Sequence, residues 1–184
     1  CVTLPLEARE PLLRAARRMA ATVDYRGLGT FEFLVDLDHP ERHYFLEANP
    51  RVQVEHTVTE AVTGVDLVAA QIGVALGRTL GELGLCQSAV PAPRGVAVQT
   101  RVNLERLAAD GSARVSTGTI TRFEVPTGAG VRVDTAGFTG LHVAGSYDSL
   151  LAKVITHVPV ADLPAALRLS DEALADFRIE GPES

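Results

Sequence analysis

The 184 residues predict an α+β fold, and three observations carry the prediction. Apolar and polar residues alternate through 29–36 and resume after 43, as in a β-hairpin. Apolar residues recur every three or four positions through 12–23 and 57–76, as on helices. Beyond residue 94, short alternating segments separated by Gly and Pro give an antiparallel sheet.

The first helix carries Leu12, Leu13, Ala16, Met19, Ala20 and Val23 on one side and Arg14, Arg17 and Arg18 on the other. Proline is tolerated only in a first turn, so Pro11 sets the regular start near Glu10 and leaves Pro5 to an earlier turn or a kinked extension. The arginine stripe reads as the solvated face of a helix covering a sheet, though it could attract phosphate. Gly27 and Gly29 precede a strand, the wrong context for a dinucleotide loop.

In the hairpin, Phe31, Phe33 and Val35 alternate with Thr30, Glu32 and Leu34. With Leu37–Arg42 as the turn, facing residues have numbers summing to about 79, which sets Glu32 opposite Glu47. Like charges in that position are destabilising and call for a cation or a shared proton. Asn49 projects from the same face as Glu47 and offers a third hard oxygen of the kind magnesium accepts. If the chain stays extended past Pro50, one ridge carries Glu47, Asn49, Arg51, Gln53 and Glu55. Five polar groups in a row beside Glu32 point to a site rather than a solvated edge.

Thr57 and Glu60 have capping-box spacing, predicting a helix from there to a stop at Gly77, with an amino-terminal dipole that favours an anion. His56 at the junction reads as a hydrogen-bonded structural residue. Residues 78–85 read as a second short helix and 87–94 as a linker, giving a boundary near 86–94. Strands follow at 95–103, 119–125, 130–136 and 150–158, then a helix over 164–177 whose end, 177–181, reads as an exit into further structure.

Hydrophobic residues make up 46% of the chain, enough for a packed core. Seventeen Lys and Arg against 23 Asp and Glu leave a net charge of −6, which argues against nucleic-acid or membrane-surface binding as the main role. Cys1 and Cys86 are too few and too far apart for a zinc site or a disulfide framework, and with no apolar run near the roughly 20 residues a membrane helix needs, the expected location is cytoplasmic. Cys1 as first residue, with Met19 the one methionine, reads as the start of an excerpt.

The run Glu47-Ala-Asn-Pro-Arg-Val-Gln-Val-Glu-His56 resembles the metal and bicarbonate segment of biotin carboxylase, an ATP-grasp enzyme of acyl-CoA and pyruvate carboxylases. The resemblance implies the carboxy-terminal part of an ATP-grasp domain over 1–86. An antiparallel-sheet biotin carboxylase C-terminal domain, truncated at its end, would follow over 87–184. Glu32, Glu47 and Asn49 match the metal positions, Arg51, Gln53 and the backbone of Val54 the bicarbonate positions, and Glu55 the base that deprotonates bicarbonate. Pro50 and His56–Glu60 are more similar to the long multidomain carboxylases than to the free-standing bacterial subunit.

Farther on, Thr117–Phe123 and Gly128–Asp134 resemble the C-terminal domain, and Arg132 matches its substrate-facing arginine; from the residues alone, a structural ion pair is an even alternative. Tyr147-Asp148-Ser149 matches a further family run and reads as a turn positioning the next strand. The implied reaction is ATP-dependent carboxylation of biotin with bicarbonate, using Mg2+ or Mn2+. The implied partners are a biotin carboxyl carrier domain, a carboxyltransferase, the amino-terminal ATP-binding part and a second copy in a homodimer. Because that ATP-holding part lies upstream of these residues, the chain alone is expected to show no turnover. The alternatives are a noncatalytic remnant that acts as an interaction module and another ATP-grasp ligase such as carbamoyl-phosphate synthase.

Overall fold

The structure, a computed structural model, describes residues 4–146 and 148–182. The chain divides into two compact units, one made of residues up to His56 with Thr63–Ala92, the other of Thr57–Val62 with the chain from Pro93 onward.

In the first unit, helix α1 spans Leu6–Thr22 and follows directly on Pro5, earlier than the expected start near Glu10. Pro11 lies inside the helix, at the expense of one intrahelical bond. Arg9 Nε donates to the Leu4 carbonyl at 3.0 Å and ties the extra turn to the chain before it. Strands β1 (Thr30–Val35) and β2 (His43–Asn49) form the predicted hairpin, with Glu32 paired to Glu47. Between Glu32 and Phe33 the register slips, so that Phe33 pairs with Phe45 and Leu46 is the extra residue of a bulge. Phe33 meets Phe45 and His43 edge-on, with centroids 5.9 and 6.0 Å apart. The Asp36 carboxylate accepts from the amides of Asp38 and His39 at 3.0 and 3.2 Å and shapes the turn between the strands.

The single helix expected over 57–76 is two, α2 (His56–Thr63) and α3 (Leu67–Ala75). Gly64 between them has φ +71, and Asp66 caps α3 by accepting from the Ala69 amide at 2.7 Å. Residues 78–85 make turns rather than a helix. There Glu82 accepts from the Thr79 amide at 2.7 Å and the Thr79 hydroxyl accepts from the Glu82 amide at 3.3 Å, a reciprocal cap on a single turn.

The second unit holds most of the core. A three-stranded antiparallel sheet places β10 (Leu150–Val158) between β3 (Val96–Asn103) and β8 (Val131–Thr135). A central strand covered on both faces reads as a near-continuous apolar run, and Ala152, Val154, Ile155 and Thr156 of β10 are all at most 2% exposed. Helix α4 (Leu163–Asp176), capped by Asp162, covers one face: Thr156 Oγ1 donates to the Ala166 carbonyl, and the hydroxyls of Thr100 and Ser170 lie 3.0 Å apart. The other face carries Gln99 and Arg132, both paired to Ile155.

The strand expected over 119–125 is broken at Ile120 and Thr121. Its first part, β6 (Gly118–Thr119), pairs with β9 (His142–Val143), and its second, β7 (Arg122–Glu124), pairs with β11 (Arg178–Glu180). Ile120 is fully buried and clusters with Leu104 and Leu151, worth about 1.5–3 kcal/mol for such a side chain. The exit expected over 177–181 is thus β11, and Phe177 packs edge-on against Phe123 at 5.5 Å. A small hairpin of β4 (Glu105–Leu107) and β5 (Ala113–Val115) was not expected. Tyr147 lies outside the described residues. Of its neighbours, Asp148 accepts from the Leu150 amide at 3.0 Å, and Ser149 donates to Glu105.

Candidate active site

On the hairpin, the facing carboxylates share one donor. Asn49 Nδ2 donates to Glu32 Oε1 at 3.1 Å and to Glu47 Oε1 at 2.9 Å. Pairing in β2 puts Asn49 opposite Thr30, two residues from both acids, so the alternation of side chains in strands brings the three together.

The extended ridge beyond Pro50 does not form. The Arg51 amide donates back to the Asn49 carbonyl at 2.8 Å, and the His56 amide donates to the Gln53 carbonyl at 3.2 Å, so the chain turns twice before α2. Pro50 fixes φ and withholds an amide, which stops strand pairing there. The bend returns the polar residues to the hairpin. Arg51 Nη1 donates to Gln53 Oε1 at 2.8 Å and to the Val52 carbonyl at 3.2 Å. Gln53 Nε2 in turn donates to Glu32 Oε1 at 3.4 Å. Arg51, Gln53, Glu32, Asn49 and Glu47 form one continuous chain of hydrogen bonds. Val54 and Glu55 occupy the turn, with Glu55 exposed. His56 Nδ1 lies 2.8 Å from the Gln53 carbonyl, and since a carbonyl only accepts, that nitrogen carries the proton. This is the structural role expected of it.

Two carboxylates that close on one amide nitrogen would close equally on a cation in its place, with the Asn49 amide turned to present its oxygen. Among the described residues no group of three or more His, Cys, Asp or Glu could hold a metal. A site of two carboxylates and an amide suits a hard ion such as Mg2+, which takes its remaining ligands from water and substrate phosphate. The residues therefore fit the ion that the resemblance implies.

In the second unit, Thr57, expected to cap the helix, lies inside α2, and both its side chain and that of Glu60 reach the sheet. Fully buried Thr57 donates to Gln99 on β3, and Glu60 accepts from Arg132 Nη1 at 2.9 Å. Arg132 also grips Asp134 with two donors, Nε at 2.7 Å and Nη2 at 2.9 Å, while Lys153 Nζ lies 3.4 Å from the same carboxylate. The hydrogen bonds to Asp134, then those to Glu60, raise the pKa of Arg132 further and keep it cationic. Burial pushes Asp134 up, yet the hydrogen bonds and charge of Arg132, with Lys153, hold it below the ordinary 3.8. This arrangement joins Thr57–Val62 to the sheet. Arg101, not expected as a site residue, lies on the same face: in strand register it stands opposite Lys153, which stands opposite Asp134 on its other side. The alternation of β3 carries the signal for it.

A carboxylate whose folded pKa lies below its unfolded value stabilises in full above the unfolded value and loses that contribution as pH falls through the folded one. Asp134→Asn is accordingly expected to lower stability by about 1 kcal/mol near neutral pH, with the difference from the parent chain shrinking as pH falls below the ordinary carboxylate value and vanishing below the lower pKa of the folded chain. Urea melts across that range measure it.

Comparison with known proteins finds two family matches along the chain. Residues 1–83 match the family model for the ATP binding domain of the carbamoyl-phosphate synthase L chain, and residues 99–184 match the biotin carboxylase C-terminal domain. Pyruvate carboxylase of Pichia angusta is 45% identical over 180 residues, 97% of this chain and 15% of the relative. The structure of a single-chain, multi-domain long-chain acyl-CoA carboxylase superposes with a TM-score of 0.90 at 50% identity, covering 97% of this chain and 19% of that one. The biotin carboxylase domain dimer of Hydrogenobacter thermophilus 2-oxoglutarate carboxylase, solved with MgADP, ADP and bicarbonate, gives 0.86 at 37% identity, covering 98% and 38%. An ATP-grasp segment followed by this C-terminal domain defines the class, a biotin carboxylase-type domain. The chain belongs to the biotin carboxylase family. It spans about a seventh of the curated relative's length.

Proposed function

We propose that this chain supplies the metal and bicarbonate half of a biotin carboxylase site, within an enzyme that carboxylates biotin at the expense of ATP. The hydrogen-bonded chain Arg51–Gln53–Glu32–Asn49–Glu47 is the observation that carries this reading. Glu32, Glu47 and Asn49 would hold Mg2+ or Mn2+. A bound divalent cation neutralises phosphate charge during phosphoryl transfer. Arg51 would clamp bicarbonate with donors beyond the one spent on Gln53, helped by the Gln53 side chain and the Val54 backbone. Glu55, at the exposed turn beside them, is the proposed base that takes the bicarbonate proton.

Residues 1–86 form the ATP-grasp portion and 87–184 the C-terminal domain in this reading. A fixed positive charge toward biotin is the role proposed for Arg132, but its donors are committed to Asp134 and Glu60. That geometry favours an anchoring role, and Arg101 on the same face is the second candidate for the charge. A higher KM for biotin in Arg101→Ala than in Arg132→Ala would assign the role to Arg101, and the reverse order to Arg132.

The enzyme would draw on a biotin carboxyl carrier domain, a carboxyltransferase and an upstream ATP-binding part, and would pair with a second copy. Among the described residues no single helix is long and apolar enough to cross a membrane, and the proposed location is the cytoplasm. The C-terminal domain match disfavours a carbamoyl-phosphate synthase. Bicarbonate-dependent ATP hydrolysis with free biotin, run on this chain and on the chain completed upstream, tests the reading. Turnover is expected only in the completed protein. Activity in the short chain would overturn the dependence on an upstream part, and inactivity of both would favour a noncatalytic interaction module.

A further inference from the structure

A second polar concavity in the first unit lies outside the hydrogen-bonded site. Pro11, Arg14, Ala15, Arg17 and Arg18 of α1 and His43 of β2 line a groove of about 530 Å3. Positions 11, 14, 15 and 18 recur at helical spacing, so one face of α1 presents them together. Among the described residues, one carboxylate answers the three guanidinium groups there. Glu10 lies 3.0 Å from Arg17 and 3.8 Å from Arg14, while Arg18 has no carboxylate partner among the described residues. This local excess of positive charge stands in a chain of net charge −6. The His43 ring, held edge-on by Phe33, forms part of the groove wall.

We infer that this groove binds the phosphate of a small organic phosphate. Guanidinium forks match phosphate oxygens in pairs. The volume falls within the roughly 300–1,000 Å3 of small-molecule sites and leaves room for an organic body against Pro11 and Ala15. The hairpin carboxylates take no part, so the inference stands apart from the proposed function.

The test is calorimetric titration of the 184-residue chain in EDTA with AMP and, separately, with inorganic phosphate. Saturable AMP binding at least tenfold tighter than phosphate is expected. Arg14→Gln/Arg18→Gln should weaken it at least tenfold, with Arg18→Gln alone intermediate and Arg114→Gln, in the second unit, without effect. AMP should also shift the His43 ring nitrogen resonance. No saturable AMP binding, or binding unchanged in the Arg14/Arg18 variants, would overturn the site. Equal affinity for phosphate would overturn the organic ligand.

Discussion

Gly95→Ala is expected to cost about 3–5 kcal/mol of stability, much of the roughly 5–15 kcal/mol that a domain has. Gly95 has φ +69, and a Cβ there would overlap the Val158 carbonyl oxygen and come within 2.8 Å of the Pro159 backbone. Both neighbours are main chain at the end of the central strand β10, so neither can step aside without disturbing the pairing of Val158 with Val96. Gly111 separates the two parts of the effect. Its φ is +81 with open space around it, so Gly111→Ala is expected to cost only about 1 kcal/mol for the left-handed backbone. Urea unfolding followed by circular dichroism measures both. Equal shifts in the two variants would mean that the close approach at Gly95 relaxes freely.

The largest effect on catalysis is expected from Glu55→Gln in the chain completed upstream. Glu55 is the proposed general base, and removing such a group typically slows turnover 10²–10⁴-fold, while the amide keeps the size of the side chain and loses its proton affinity. Steady-state kinetics should show that loss in kcat, with the KM for ATP little changed. A loss below tenfold would move the proton transfer to another group.

The hairpin was legible because a period of two and one turn length determine which residues face each other, and Glu32 does pair with Glu47. The bulge at Leu46 was not, since it depends on how Phe33 packs against Phe45 and His43 rather than on alternation. Polar residues past Pro50 were expected on a ridge, but two turns gather them instead. Only the turned arrangement brings Arg51 and Gln53 back to Glu32, since an extended ridge would lead them away from it. Thr57 and Glu60 show the limit of local signals. Their spacing promised a cap, and both side chains reach long-range partners on β3 and β8. The break between α2 and α3 was visible in Gly64-Val65-Asp66, a stop followed by a cap, and was overridden by the apolar residues on either side. Strands of two or three residues, such as β6, β9 and β11, carry too few alternations to announce themselves and form by pairing with distant chain.

The central claim is that facing Glu32 and Glu47, with Asn49 between them, hold a divalent cation. Mn2+ titration followed by electron paramagnetic resonance, on this chain and on Glu32→Gln and Glu47→Gln, tests it most directly. The account predicts one saturable site whose affinity falls at least tenfold in each variant, with Mg2+ competing for it. Unchanged Mn2+ affinity in both variants would contradict it.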